Sequence, residues 1–280
     1  MKVRRRRQPL RRQSINRLIP NVLTLLALCA GLTAMRFALE QRYQMAVIAI
    51  VIAGVLDGLD GRIARLIGAT SKFGAELDSL SDFVCFGVAP ALILYLWVMN
   101  HGGRFGWAVV LLYAVCTALR LARFNTALDD TSRPAWSFNY FTGVPAPAGA
   151  GMAVLPLVAS FETGPGWLDH PWLIGAWTIL VSALMVSRIP TFAFKRLRVP
   201  PWMVLPVLLA VGIVAAGMAA EPWFTLMGIG VVYIASIPWA WHVTARLRAA
   251  PPAEPAKPTT DSAPPPSPLV SISGGRAEPR

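Results

Sequence analysis

Long apolar runs recur along almost the whole chain, and they constrain its fold more than any other feature. A helix that crosses a hydrocarbon core of about 30 Å needs roughly 17–25 mostly apolar residues. Eight windows meet this length, at about residues 18–39, 43–66, 75–99, 105–125, 145–162, 172–188, 203–219 and 223–243. Because 55% of the residues are hydrophobic and only 14% are charged, the sequence predicts an integral membrane protein.

These apolar runs have the pattern of helices. Strands of a membrane barrel alternate apolar and polar residues over about ten positions, whereas VLTLLALCAGLTAM and LPVLLAVGIVAAGMAA are continuously apolar. Their many Ala and Gly residues allow membrane helices to approach one another closely. We therefore expect an all-α fold, a polytopic transmembrane helical bundle of about eight spans.

The basic residues predict the orientation of this bundle. With a cytoplasmic N-terminus, 23 of the 26 Lys and Arg residues fall on the inner side, and only Arg36, Arg42 and Arg104 fall outside. This distribution follows the positive-inside rule. The net charge of +12 is thus explained by topology, and no binding to nucleic acid is expected.

Three segments are predicted along the chain. Residues 1–17 form a basic cytoplasmic N-terminal segment, and residues 18–248 form the transmembrane catalytic domain. Residues 249–280 contain nine prolines and few apolar residues, a composition that cannot bury enough apolar surface to offset the entropy of ordering the chain. We expect this last segment to be a disordered cytoplasmic tail.

Four aspartates interrupt the second and third apolar windows. Asp57 and Asp60 are three residues apart, and Asp78 and Asp82 are four apart, so each pair lies on one face of its helix. A carboxylate at membrane depth costs about 2.5–3.5 kcal/mol on insertion scales, which makes such residues functional candidates. A short connection between the two helices brings the pairs together. Their mutual repulsion calls for positive charge, from Arg62, Arg65 and Lys72 or from two Mg²⁺ or Mn²⁺ ions.

The complete spacing is D-x-x-D-G-x-x-A-R-x8-G-x3-D-x3-D, from Asp57 to Asp82. It resembles, at every fixed position, the signature of the CDP-alcohol phosphatidyltransferase family, and that resemblance implies the family's fold. It also implies that Asp57, Asp60, Asp78 and Asp82 hold a two-metal centre and that Asp82 is the general base. The cytidine diphosphate moiety would then lie against the following residues: Asp57, Gly61, Arg65, Ser71, Gly74 and Asp78.

Three further stretches of sequence narrow the choice of acceptor substrate. They are IPNVLTLLALCAGLTA, ELDSLSDFVCFGVAPA, and LRLARFNT with YFTGVPAPAGAG. They resemble the bacterial members of the family that transfer a phosphatidyl group from CDP-diacylglycerol to L-serine and release CMP. The resemblance implies a multi-pass protein of the bacterial inner membrane, with its site on the cytoplasmic side, and a homodimer.

Four residues outside the motif are candidates for substrate binding, and each has a structural alternative. Arg120 and Arg123, three residues apart near the end of a helix, can bind the carboxylate of serine, or they can anchor the helix at the headgroups. Asn125 can position serine or cap the helix. Asn21 can bind the pyrophosphate of CDP-diacylglycerol or act as an interfacial cap.

Two alternative functions remain open from the sequence. A related enzyme of the same family would share the aspartate motif but use glycerol 3-phosphate, inositol phosphate or choline. An ion-coupled membrane transporter would also keep carboxylates at membrane depth, although no inverted repeat of the kind found in many transporters is apparent.

Overall fold

The structure is a computed structural model that describes residues 18–69, 71–128, 140–164, 166–187, 190–192 and 203–249. The predicted N-terminal segment, residues 1–17, and nearly all of the predicted tail, residues 249–280, lie outside the described residues.

Helices form almost all of the described chain. The first half contains α1 (Leu18–Leu39), α2 (Tyr43–Leu66), α3 (Lys72–Asp82), a π-helical segment (Phe83–Val88), α4 (Ala89–Trp97), a 3-10 turn (Met99–Gly102) and α5 (Gly103–Leu128). The second half contains β1 (Tyr140–Thr142), α6 (Ala146–Thr163), a 3-10 turn (Trp167–Asp169), α7 (Pro171–Val186), β2 (Pro190–Phe192), α8 (Val204–Ala220) and α9 (Pro222–Ala249). Each of the eight predicted windows corresponds to a helix or to a continuous helical run.

The all-α membrane fold predicted from the sequence is confirmed. Three helical runs of the described chain have the length and composition to cross a membrane: Leu18–Leu39, Lys72–Trp97 and Met99–Thr126. Three shorter apolar helices accompany them, at Pro171–Val186, Val204–Ala220 and Pro222–Pro238. The structure adds one feature to the prediction, since β1 and β2 pair as two short antiparallel strands with Phe141 opposite Thr191.

Helix α1 packs through a stripe of small residues. Its buried positions are Pro20, Thr24, Ala27, Gly31, Ala34 and Ala38, which recur every three or four residues and so share one face. A Cβ atom at Gly31 would lie 2.6 Å from the Cys85 Sγ. The absence of a side chain at this position therefore allows α1 to lie directly against the π-helical segment.

Two polar contacts align α1 with the helical run that starts at α3. The Ser81 hydroxyl donates to the Thr24 carbonyl at 3.3 Å, and the Cys85 thiol donates to the Ala27 carbonyl at 3.3 Å. Both donors are one helical turn apart, and both bind backbone atoms of α1. They hold α3 beside α1, and α3 carries the second pair of predicted functional aspartates.

Candidate active site

Three aspartates from two helices converge in the structure. One carboxylate oxygen from each of Asp57, Asp60 and Asp78 lies within 4.8 Å of the others. Asp57 and Asp60 project from the last turns of α2, and Asp78 projects from the middle of α3. The predicted meeting of the two acidic pairs is therefore observed, and it follows from the short connection between Leu66 and Lys72.

Asp82 belongs to the same cluster through Asp57. The Asp57 carboxyl group lies within hydrogen-bonding reach of the carboxyl groups of both Asp78 and Asp82. Asp82 lies one turn beyond Asp78, at the end of α3. Four carboxyl groups at these separations repel one another strongly when ionised, because the apolar surroundings screen their charges poorly.

Asp60 is the most enclosed member of the cluster and is held by Thr24. Only 4% of its surface is exposed. The Thr24 hydroxyl donates to Asp60 Oδ2 at 2.6 Å, and the Pro20 carbonyl is a second acceptor for the same proton at 3.1 Å. This contact fixes one carboxylate oxygen of Asp60. The orientation of the Asp60 side chain is thus set before any ion binds. Hydrogen-bonding groups behind metal ligands commonly have this role.

The donor set fits a divalent cation. Hard oxygen ligands from several carboxylates suit Mg²⁺ or Mn²⁺, and a cation would offset the repulsion among the four acids. The carboxylates of Asp57, Asp60 and Asp78 are close enough to share one such ion. The second ion and the choice between Mg²⁺ and Mn²⁺ stay predictions.

Three of the predicted substrate-binding residues lie together where the start of α3 meets α1. They are Asn21, Ser71 and Gly74. Ser71 caps α3, because its hydroxyl accepts from the Gly74 amide at 3.0 Å. A Cβ atom at Gly74 would lie 2.9 Å from Asn21 Oδ1 and 3.1 Å from Ser71 Oγ. Glycine at this position therefore keeps open a small polar recess between α1 and α3.

Besides the aspartates, two more residues predicted to bind cytidine diphosphate, Gly61 and Arg65, lie on α2. A Cβ atom at Gly61 would have only the Arg65 Nη2 atom within 4 Å, at 3.9 Å, so the backbone next to Asp60 is accessible to a ligand. Arg65 is exposed and occupies the last turn of α2. Its guanidinium is free to approach a phosphate group near the cluster.

The three predicted serine-binding residues differ in their surroundings. Arg120 lies close enough to Asp82 for a direct electrostatic interaction. Arg123 is exposed, and its Nη1 atom donates to the Val186 carbonyl at the end of α7 at 3.1 Å. Asn125 donates to the Ser79 hydroxyl at 2.8 Å. Arg120 and Asn125 therefore lie beside the acidic helix, whereas Arg123 contacts a neighbouring helix end.

Two residues of this site were missed by sequence reasoning. Thr24 could have been suspected from its place in the regular stripe of small residues on α1. Ser79 lies next to Asp78, but no pattern marks it as the partner of Asn125, which is 46 residues away. Their roles depend on helix pairings that a single sequence does not specify.

These features together define a class of protein. A buried acidic centre that can bind divalent cations, with accessible backbone beside it, is placed within a bundle of membrane-type helices. Such a centre suits substrates that carry phosphate groups, since Mg²⁺ is commonly shared between carboxylates and phosphates.

Comparisons with known proteins identify the family within this class. Residues 17–188 match the family model described as CDP-alcohol phosphatidyltransferase, and residues 202–238 match the one described as CDP-alcohol phosphatidyltransferase 2. The chain belongs to the CDP-alcohol phosphatidyltransferase family, and the resemblance of the aspartate motif is confirmed.

Named relatives of the chain come from several bacteria. A Mycobacterium leprae protein called CDP-diacylglycerol–serine O-phosphatidyltransferase is 42% identical over 84% of this chain and 78% of its own length. A Helicobacter pylori protein of the same name is 36% identical over 77% of this chain and 89% of its own length. A Bacillus subtilis protein of that name is 34% identical over 64% of this chain and 92% of its own length.

Proposed function

We propose that this chain transfers the phosphatidyl group of CDP-diacylglycerol to the hydroxyl of L-serine, which gives phosphatidylserine and CMP. The convergence of Asp57, Asp60 and Asp78 around one point carries the proposal for the reaction type. The names of relatives up to 42% identical support serine as the acceptor. A protein that only transports ions would not explain this combination.

In this proposal, the aspartates bind and orient the donor together with Asn21, which lies beside Gly74. Asp57, Asp60, Asp78 and Asp82 would hold two Mg²⁺ or Mn²⁺ ions, which would neutralise the charge that develops on the phosphoryl oxygens. The pyrophosphate would approach the open backbone at Gly61 and the recess beside Gly74. Arg65 then adds a cation on the exposed side, where a guanidinium can bind phosphate oxygens in a bidentate manner.

Asp82 would move the proton of the acceptor. The serine hydroxyl must lose its proton as its oxygen attacks the phosphoryl group next to the lipid, and a carboxylate within hydrogen-bonding reach can accept it. Asp82 interacts directly with Asp57 at the end of α3, next to the carboxylates that would hold the metal ions. The bond from that phosphorus to the CMP oxygen breaks as the new bond to the serine oxygen forms.

Arg120 and Arg123 would recognise the carboxylate of serine. Arg120 is the closer of the two to Asp82. Arg123 uses one of its five N–H donors on the Val186 carbonyl and retains the others. Asn125, through its hydrogen bond to Ser79, would keep α5 in register with the acidic helix. We further propose that the site faces the cytoplasm of a bacterial inner membrane, as the distribution of basic residues indicates.

An acceptor panel with purified protein in detergent tests this function. Labelled CDP-diacylglycerol is supplied with L-serine, glycerol 3-phosphate, inositol phosphate or choline, and CMP release and the lipid product are measured. Among the four acceptors, we expect only serine to support turnover, and we expect Asp57→Asn, the matched control, to reduce that turnover at least about 100-fold. Preference for another acceptor would contradict the serine assignment, and the absence of any turnover would contradict the transferase assignment.

The same assay tests the two arginines. Arg120→Ala should raise the KM for serine about 10-fold to 100-fold, since a charge-assisted contact contributes about 1.5–3 kcal/mol, while the KM for CDP-diacylglycerol changes little. Arg123→Ala should act in the same direction but less strongly, because its guanidinium is exposed. Wild-type serine kinetics in both variants would exclude their predicted role.

A further inference from the structure

Two neighbouring residues, Arg120 and Tyr233, each have a buried polar atom without a hydrogen-bond partner in the part of the chain that the structure describes. Among the residues whose side chains are described, three buried polar side-chain atoms are unsatisfied: Arg120 Nε, Asp169 Oδ1 and Tyr233 Oη. The first and the last belong to neighbouring residues, because Arg120 on α5 and Tyr233 on α9 interact electrostatically. A buried donor without a partner costs about 1–3 kcal/mol, so such atoms call for an explanation.

The described neighbours of Tyr233 are mainly apolar. Its ring packs against the apolar core that includes Val144 and Met152. It also lines an apolar cavity of about 270 Å³ between α2, α6 and α9, whose walls include Val51 and Leu155. These neighbours offer no side-chain acceptor or donor. The hydroxyl is thus a polar atom that the fold leaves available next to Arg120.

Arg120 is close to both Asp82 and Tyr233 but contacts neither directly. It interacts electrostatically with both residues, yet within the described chain no ion pair of 4 Å or less joins it to Asp82. Its Nε atom and the Tyr233 hydroxyl each lack a hydrogen-bond partner there. A small anionic group that reached both donors would satisfy them together.

We infer that the Tyr233 hydroxyl and the Arg120 guanidinium together bind the carboxylate of the acceptor, so that Tyr233 determines specificity for an amino acid. The inference rests on the proposed function, because that function supplies the acceptor. Both groups are hydrogen-bond donors, and a carboxylate accepts from both. Asp82 repels the carboxylate and accepts from the hydroxyl, which orients the acceptor with its hydroxyl toward the base.

Tyr233 lies far from the aspartate motif in the sequence. It falls in residues 202–238, the part of the chain that matches a separate family model from the motif-bearing part. The catalytic aspartates are therefore carried by one matched segment, whereas part of the acceptor subsite is carried by the other.

The test uses Tyr233→Phe, which removes a single oxygen atom, in the purified full-length enzyme. Initial rates are measured with L-serine and with L-serinamide, in which the carboxylate is replaced by a neutral amide. We expect the KM for L-serine to rise about tenfold or more, as for a lost charge-assisted hydrogen bond. The KM for CDP-diacylglycerol should stay constant, and the preference for L-serine over L-serinamide should shrink.

Tyr43→Phe is the matched control. The Tyr43 hydroxyl donates to the Leu96 carbonyl at 2.9 Å, so the same chemical change removes a contact within the protein. This variant should lower the midpoint of thermal unfolding and leave the KM for serine and the preference between the two acceptors unchanged.

Three results for Tyr233→Phe would overturn the inference. They are an unchanged KM for serine, an equal loss with both acceptors, and a raised KM for CDP-diacylglycerol instead, which would assign the hydroxyl to the lipid donor. A wild-type enzyme that does not use serine would refute the proposed function itself. That failure is seen in the wild type, whereas failure of the inference alone is seen only in the variant.

Discussion

Helices α1 and α8 are both continuously apolar, yet they have different places in the molecule. Helix α1 buries six residues in a regular stripe, whereas α8 buries none. A Cβ atom at Gly31 of α1 would overlap Cys85, but one at Gly212 of α8 would have no neighbour within 4 Å. Hydropathy therefore selects both helices for the membrane, and the pattern of small residues determines which one packs against the site.

Polar groups reinforce this difference. The stripe on α1 contains Thr24, which binds Asp60, and backbone carbonyls that accept from Ser81 and Cys85. Helix α8 exposes large side chains such as Leu205, Leu208 and Ile213, a surface suited to lipid tails. In a lipid environment, helix association depends on close packing and hydrogen bonds, not on hydrophobicity. The comparison thus predicts that substitutions in the buried stripe of α1 lower activity or stability, and that substitutions on the exposed surface of α8 lower neither.

The largest effect is expected at the acids that α1 supports. Asp57→Asn, Asp60→Asn or Asp78→Asn should each lower kcat by roughly 10²–10³-fold or more, a loss typical of removing one group that stabilises transition-state charge. Activity is measured across a titration of Mg²⁺ and Mn²⁺, with Gly212→Ala in α8 as the control. Near-normal turnover of any of the three at low metal concentration would contradict their role as ligands.

Asp82→Asn should impair a different step of the reaction from the other three substitutions. If Asp82 acts as the base, the variant binds CDP-diacylglycerol normally but does not complete the chemical step. Binding and single-turnover rates separate the two effects, and unchanged turnover would exclude that role.

An effect of intermediate size is expected on stability when one glycine in α1 or in α8 is replaced by alanine, which adds a single methyl group. Gly31→Ala should destabilise the protein by about 1–3 kcal/mol, the usual cost of overpacking, because the Cys85 Cα atom at 3.1 Å cannot simply rotate away. Gly212→Ala should be neutral or slightly stabilising, since alanine favours a helix by about 1 kcal/mol over glycine. The midpoints of thermal unfolding in detergent test both predictions. Equal midpoints for the two variants would contradict the difference in packing between α1 and α8.

The smallest effect concerns a single hydroxyl on α1. Thr24→Val should reduce activity or metal affinity by about 10-fold, the lower end for loss of a partner behind a metal ligand. Thr33→Val is the matched control on the same helix, because the Thr33 hydroxyl is exposed and donates only to the Cys29 carbonyl. Identical metal dependence in the two variants would show that Thr24 does not support Asp60.

Much of the fold follows from the sequence, because apolar length and turn position are local properties. The run to Leu66 and the restart near Lys72 are examples, and the aspartate pairs follow from the same short connection. The contact between Thr24 and Asp60, the position of Tyr233 and the partner of Arg123 could not be predicted, although the stripe on α1 marks Thr24 as a packed residue. Each depends on which helices become neighbours, and in a membrane almost any apolar face can serve as a neighbour.

The π-helical segment Phe83–Val88 affects how the helical run that carries Asp78 and Asp82 responds to the loss of a residue. It directly follows Asp82, and a π-helical turn accommodates one residue more than an α-helical turn. The extra residue is therefore taken up inside the segment, and the helices on either side of it keep the phase of one continuous α-helix. Removing one residue within Phe83–Val88 would convert the wide turn to an ordinary one and leave Asp78 and Asp82 facing Asp57. The same deletion within α3 or α4, where no wide turn absorbs it, would rotate the residues before it by about 100° relative to those after it. The helical run that carries the second pair of acids thus tolerates a change in chain length at this segment better than elsewhere.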